Sequence, residues 1–159
     1  MSLIGVLTER ENEIYLNKQL EKRKLEDLFF LNENTIENMR NIKFETFLLG
    51  KKIEKKQEII RYIAQKASYF VLNSDIKENL SLLDNLDLML ITYGYNQKAT
   101  ITASSVAENK MMICLQRSIK NVYNEEVEPQ EIEIEMTEGI KDEAVMELAS
   151  LTFLYQKEK

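Results

Sequence analysis

The sequence contains no histidine and no tryptophan, and among its 159 residues it has one cysteine, one proline and four glycines. The lack of histidine removes the commonest general base, proton shuttle and metal ligand. It also excludes Ser-His-Asp and Cys-His catalytic arrangements and every metal site that uses histidine. The single cysteine, Cys114, excludes an intrachain disulfide and any paired-cysteine zinc or redox site. We therefore expect a protein that is not an enzyme and that carries no cofactor and no metal ion.

Proline and glycine punctuate the turns of all-β proteins, so their scarcity favours long helices. A content of 44% hydrophobic and 30% charged residues predicts an ordered globular chain. The longest apolar run, Leu86 to Ile91, is interrupted by Asp87 and is far shorter than a membrane-spanning helix. We expect a cytoplasmic protein without membrane insertion.

Residues 1–73 predict a long antiparallel helical hairpin. Thr8 and Glu11 have the spacing of a capping box, which satisfies the first backbone N–H groups of a helix. Apolar residues then recur at spacings of three and four to about residue 31. The polar residues 32–35 break that helix and cap a second one, predicted over 36–73.

The predicted 36–73 helix carries an apolar seam close to the 3.5-residue period of a coiled coil. A helix of that length is too long for the rest of the chain to cover. The first helix of the hairpin covers part of its surface. We expect homo-oligomerisation through this helix to cover the remainder.

Residues 74–159 predict a small acidic module packed as one continuous unit with the hairpin. Six residues that alternate strictly between acidic and apolar, 131–136, give the clearest strand signal in the sequence. The predicted order is β-β-α-β-α, with strands over 88–95 and 99–103, a helix over 105–122, the strand over 131–136 and a helix over 141–155. The whole chain is therefore predicted to be predominantly α and α+β overall, with an all-α bundle as the alternative.

Acidic residues concentrate in the second module, where 16 acidic residues face 8 basic ones. If 131–136 is a strand, Glu131, Glu133 and Glu135 project from one face at a spacing of about 7 Å. Carboxylates at that spacing repel one another. An edge strand kept soluble by charge is the favoured interpretation, followed by a surface for a basic protein partner and then by a cation site.

A basic cluster lies in the predicted second helix. The functional interpretation is a patch that contacts the phosphates of nucleic acid or an anionic membrane. A solvated helix face is favoured, because the chain is acidic overall and no aromatic residues interleave the cations. The candidate anion contacts are Lys51, Lys52, Lys55 and Lys56, with Arg61 one turn further on.

These features favour a non-catalytic protein-binding protein, such as an adaptor, an assembly factor, a chaperone-like protein or an inhibitor of the immunity type. Its candidate contacts are Ile53 and Ile60 on the second helix and the three glutamates of the acidic strand. The partner is a protein, and a basic one suits the acidic module. The alternative is a nucleic-acid-associated protein that binds through the helix face from Lys51 to Arg61.

Overall fold

The structure, a computed structural model, describes residues 3–25 and 27–157. The strands are β1 (Ile4–Leu7), β2 (Leu28–Phe30), β3 (Thr46–Leu49), β4 (Tyr69–Asn73), β5 (Met89–Tyr93), β6 (Ile101–Ala107), β7 (Lys110–Leu115), β8 (Ile119–Lys120), β9 (Glu126–Val127) and β10 (Gln130–Glu135). The α-helices are α1 (Arg10–Lys22), α2 (Gln57–Lys66), α3 (Lys77–Leu80) and α4 (Asp142–Tyr155), with 3-10 helices over Ile36–Met39 and Ser81–Leu83.

One eight-stranded sheet organises the molecule, in the order β10-β7-β6-β5-β4-β3-β1-β2. Strands β2, β1, β3, β4, β5 and β6 run parallel, whereas β7 and β10 are antiparallel to their neighbours. The short strands β8 and β9 form a separate antiparallel pair. The sheet takes strands from both sides of residue 73.

Helices cover both faces of the parallel strands. On one face, α1 and α4 pack against each other and against a core that includes Val6, Val71 and Ile91. On the other face, α2 and the two 3-10 helices cover a second core in which the rings of Phe47 and Phe70 stack with centroids 5.6 Å apart. Parallel strands buried on both faces are continuous apolar runs, and every residue of β1 and β3 is buried.

The predictions of a predominantly α chain and of an all-α bundle are therefore wrong. The predicted first helix ends as α1 at Lys22, and the chain goes on to β2. The predicted 36–73 helix is divided among the first 3-10 helix, β3, α2 and β4. The coiled coil and the helical hairpin are absent from the described ranges. The prediction of homo-oligomerisation through the 36–73 helix therefore has no structural basis.

In the second half of the chain, the predicted 105–122 helix is also wrong, because these residues form the end of β6, the antiparallel strand β7 and the chain up to β8. Four other segments lie close to where the sequence pattern places them. The strands over 88–95 and 99–103 are β5 and β6, which pair in parallel. The strand over 131–136 is β10, and the helix over 141–155 is α4.

Candidate functional site

The carboxyl ends of the parallel strands are where a ligand-binding site is expected in this fold. In open α/β sheets, ligands bind where neighbouring strands are connected in opposite directions. Here β1 lies between β2 and β3, so this switch point falls between β1 and β3. Thr8 and Gly50 are the residues that directly follow these two strands.

A single carboxyl group, that of Glu147 on α4, is held at this switch point. The hydroxyl of Thr8 lies 2.9 and 3.0 Å from its two oxygens. The hydroxyl of Tyr93, at the end of β5, donates to Oε2 at 2.6 Å, and Nδ2 of Asn12 lies 3.4 Å from the same oxygen. These contacts join α4 and α1 to the ends of β1 and β5.

Gly50 makes room for this cluster at the end of β3. A Cβ atom at this position would lie 2.5 Å from Oε2 of Glu147, 2.5 Å from Oγ1 of Thr8 and 2.8 Å from the hydroxyl of Tyr93. Any larger residue would therefore displace the carboxyl or its hydrogen-bonding partners.

Burial raises the pKa of Glu147 to about 8, although the hydrogen bonds from Tyr93, Thr8 and Asn12 act to lower it. Burial, together with the nearby Glu147 carboxyl, also holds the pKa of Tyr93 well above its usual value. At neutral pH, Glu147 therefore mostly keeps its proton. Oδ1 of Asn12 has no hydrogen-bond partner, and a half-turn of this amide would let Oδ1 accept a hydrogen bond from the protonated carboxyl of Glu147.

The cluster is sealed from solvent. Glu147 and Tyr93 are fully buried, Thr8 and Asn12 are no more than 3% exposed, and Gly50 is buried. A substrate could reach the carboxyl only if the fold opened. The arrangement can hold a proton and fix α4 to the strand ends, so we interpret it as structural.

A cleft of about 510 Å³ opens to solvent beside the β8–β9 pair. Its lining is mostly polar and includes three glutamates. The residues that line it are Asn121, Glu125, Glu126, Val127, Glu128, Gln130 and Gln156. The cleft therefore offers a negatively charged recess at the molecular surface.

Asn121 holds the loop that forms this cleft. Its Nδ2 donates to the carbonyl of Gln156 at 2.7 Å, and its Oδ1 accepts the backbone N–H groups of Tyr123 and Glu125 at 3.0 and 2.9 Å. The hydroxyl of Tyr69 donates to the Asn121 carbonyl at 2.7 Å. The loop is thus tied both to the sheet and to the segment after α4, and the cleft is fixed in shape before a ligand arrives.

The edge strand β10 continues the negative surface from Gln130, the cleft residue at which it begins. Glu131, Glu133 and Glu135 are all exposed. Ile134 is buried in the core on the opposite face, as the alternating pattern predicts. We call the cleft glutamates and the three glutamates of β10 together the acidic face.

The predicted contact residues Ile53 and Ile60 are placed differently. They are 2% and 1% exposed and lie in the core beneath α2. They pack between the helical layer and the sheet, so they cannot contact a partner in the folded protein. Ile53 lies in the loop before α2 and only Ile60 belongs to that helix, so the spacing between them is not that of one helix.

The basic cluster does not form one helix face, because Lys51, Lys52 and Lys55 precede α2 in a loop. Nζ of Lys52 lies 3.8 and 3.9 Å from carboxylates of Glu54 and Glu78. Two further cations of the cluster, Lys56 and Arg61, also have protein partners. Nζ of Lys56 donates to the Glu33 carbonyl at 2.6 Å, and Arg61 donates to the Leu82 carbonyl at 2.6 Å.

Sequence reasoning missed Glu147 and Asn121. The sequence signal for Glu147 is a single acidic residue in a helical segment, 144–149, whose other residues are all apolar. Such a helix must bury its acidic residue, and a buried acid needs partners. Asn121 gave no comparable signal, because asparagine is common in loops.

No protein-family model matches this chain, and no curated protein matches it either. Among the described residues, no group of three or more Cys, Asp or Glu side chains is placed to hold a metal ion. No helix in the described part of the chain is both long enough and apolar enough to cross a membrane.

Proposed function

We propose that this chain is a non-catalytic protein-binding domain whose acidic face receives a basic segment of a partner protein. The observation that carries the proposal is the cleft of about 510 Å³ with Glu125, Glu126 and Glu128 in its lining. Arginine or lysine side chains match its charge. We further propose that the protein acts in the cytoplasm, where its one free cysteine can remain a thiol.

The cleft supports this proposal more strongly than β10 does. Exposed carboxylates on an edge strand already have a use without a partner, because they discourage pairing with the edge of another sheet. Nζ of Lys110 also lies 3.3 Å from Glu133, which offsets part of the charge. A concave recess with several carboxylates has no such role, and its anchored loop is suited to a partner that binds without rearrangement.

The experiment compares two sets of charge-neutralising substitutions. The cleft set is Glu125→Gln, Glu126→Gln and Glu128→Gln, and the control set, on exposed residues elsewhere, is Glu21→Gln, Glu58→Gln and Asp87→Asn. The probe is a fluorescein-labelled Arg-Gly-Arg-Gly-Arg peptide, followed by fluorescence anisotropy at low and high salt.

We expect the cleft set to weaken binding at least about tenfold and the control set to weaken it less than about twofold. Binding should also weaken with added salt, because the contacts are between exposed charges. Equal losses in the two sets would mean that only net charge matters and would overturn the proposal. The same variants then allow a partner from the native cell to be assigned to the cleft or excluded from it.

A further inference from the structure

The sheet contains a gap in its interior. Strand β5 pairs with β4 along its full length, from Met89 to Tyr93. On its other side it pairs with β6 only at Tyr93, opposite Ile101. Among the described residues, 89–91 therefore have no neighbouring strand on that side, although β5 is not an edge strand of the sheet. Thr92 lies against the chain before β6, where the Thr100 N–H donates to its Oγ1 at 3.0 Å.

The gap is one strand wide. Strand β7 pairs with β6, so it lies two strand spacings, about 10 Å, from β5. After Leu115, which pairs with Ile101, the chain continues past the point where β6 begins. Residues 117–120 and 89–91 line a common cleft of about 330 Å³. We call this cleft the slot.

Backbone hydrogen-bonding groups of β5 point into the slot. The Tyr93 carbonyl accepts a bond from Ser74 on the β4 side, and the Gly94 N–H donates to Ile101 on the β6 side. Because backbone direction alternates along a strand, Leu90 and Thr92 face the same side as Gly94. The Leu90 N–H, the Leu90 carbonyl and the Thr92 N–H have no protein partner among the described residues.

The walls of the slot are apolar and its rim is mostly basic. Met89 is 51% exposed and Leu90 is 38% exposed, which is unusual for a strand inside a sheet. Arg117, Lys120 and Glu126 add two cations and one carboxylate to the lining. Apolar walls, free backbone groups and a basic rim together match an extended peptide with apolar residues and an acidic end.

We propose that the slot binds an extended segment of a partner protein, which adds a strand beside residues 89–91 and places an acidic residue near Arg117 and Lys120. Strand addition supplies backbone hydrogen bonds to Leu90 and Thr92 and buries Met89. The inference does not rest on the proposed function, because the acidic face recognises the opposite charge.

The test uses a fluorescein-labelled Asp-Val-Thr-Val-Asp peptide and two matched peptides. One carries N-methyl groups on alternate amides, which removes backbone donors but keeps the side chains. The other replaces both aspartates with lysine. We expect the first peptide to bind with a Kd on the order of 100 µM, and each matched peptide to bind at least about tenfold more weakly.

Substitutions then locate the site. Lys120→Glu should weaken binding of the aspartate peptide and strengthen binding of the lysine peptide, each by about fivefold. Lys18→Glu, on the exposed side of α1, is the charge-matched control and should change neither. Glu125→Gln with Glu128→Gln should leave this binding intact, which separates the slot from the proposed cleft.

Amide exchange gives a readout that depends on the backbone. Bound peptide should slow hydrogen exchange at Leu90 and Thr92, whose N–H groups face the slot. Three results would overturn the proposal: no binding of the aspartate peptide up to about 1 mM, equal binding of the N-methylated peptide, or unchanged exchange at these two amides. Equal binding of the N-methylated peptide would make the slot an apolar pocket without strand addition.

Discussion

Carboxyl groups occupy two contrasting regions of this molecule. Glu147 lies where the sheet is covered by helices, is fully buried, and accepts hydrogen bonds from Thr8 and Tyr93. Glu131 and Glu133 lie on the edge strand and are exposed to solvent. The same side chain therefore serves packing in one region and surface charge in the other. The position of the glutamate relative to the helical layers, rather than its chemistry, decides which of these two roles it has.

The comparison predicts that the effect of a substitution on stability depends on the region. The largest loss in the free energy of unfolding should come from a substitution at Gly50. Gly50→Ala places a Cβ atom 2.5 Å from the Glu147 carboxyl and the Thr8 hydroxyl. We expect a loss of at least about 3 kcal/mol in the free energy of unfolding, measured by urea denaturation. Gly139→Ala is the control, because its Cβ meets nothing within 4 Å while its φ of +85° is strained; it should cost about 1 kcal/mol. Equal losses at the two glycines would contradict close packing at Gly50.

Glu147 should make stability depend on pH. Its pKa rises from 4.5 to about 8 on folding, mainly because of burial. Between these two values the folded state keeps the proton and the unfolded state releases it, so stability falls as pH rises. Below pH 4.5 the contribution of this group is constant.

The variant Glu147→Gln removes this titration. We expect it to match the wild type near pH 4.5 and to exceed it near pH 9 by up to about 5 kcal/mol, measured by urea denaturation across the pH range. A parallel pH dependence in the two proteins would show that Glu147 does not hold a proton in the folded state.

Tyr93→Phe is a smaller change to the same cluster. It removes the hydroxyl that donates to Oε2 at 2.6 Å, and we expect a loss of about 1 to 2 kcal/mol. Because that hydrogen bond lowers the pKa of Glu147, its loss should raise this pKa further. The pH at which stability levels off should therefore move upward, which a loss of packing alone would not produce.

The acidic face should show the smallest effect on stability. Replacing Glu131, Glu133 and Glu135 with glutamine should change the free energy of unfolding by no more than about 0.5 kcal/mol, because the side chains are exposed. Thermal denaturation at low and high salt is the measurement. A loss of stability comparable to that of Tyr93→Phe would contradict the predicted difference between the two regions.

The same contrast explains what the sequence could predict. Strand β10 faces solvent on one side, so its acidic and apolar residues alternate, and the pattern identified both the strand and its outward glutamates. Helix α4 was also identified from its apolar spacing. In these two elements, the spacing of apolar residues along the sequence reflects which positions are buried.

Among the parallel strands, β5 and β6 lie close to the strands predicted over 88–95 and 99–103, but β1, β2, β3 and β4 could not be recognised in this way. Strands buried on both faces are short apolar runs without alternation, and periodicity cannot separate such runs from buried helix. One long predicted helix included Leu49, Ile53, Ile60 and Phe70. In the structure, these residues belong to β3, the loop after it, α2 and β4, respectively. Gly50 lies within that predicted helix, whereas in the structure it directly follows β3 and makes room for Glu147.

The order of elements along the chain has a consequence for synthesis. Helix α4 covers one face of the sheet and packs on α1, yet it follows every strand in the sequence. While the chain is being made, the strands leave the ribosome before the helix that shields them. Until α4 emerges, an apolar sheet face stays open to water and to other nascent chains. A ribosome stalled before residue 142 would therefore hold a chain that chaperones bind. We expect the chaperones to dissociate once α4 has emerged and covered the sheet.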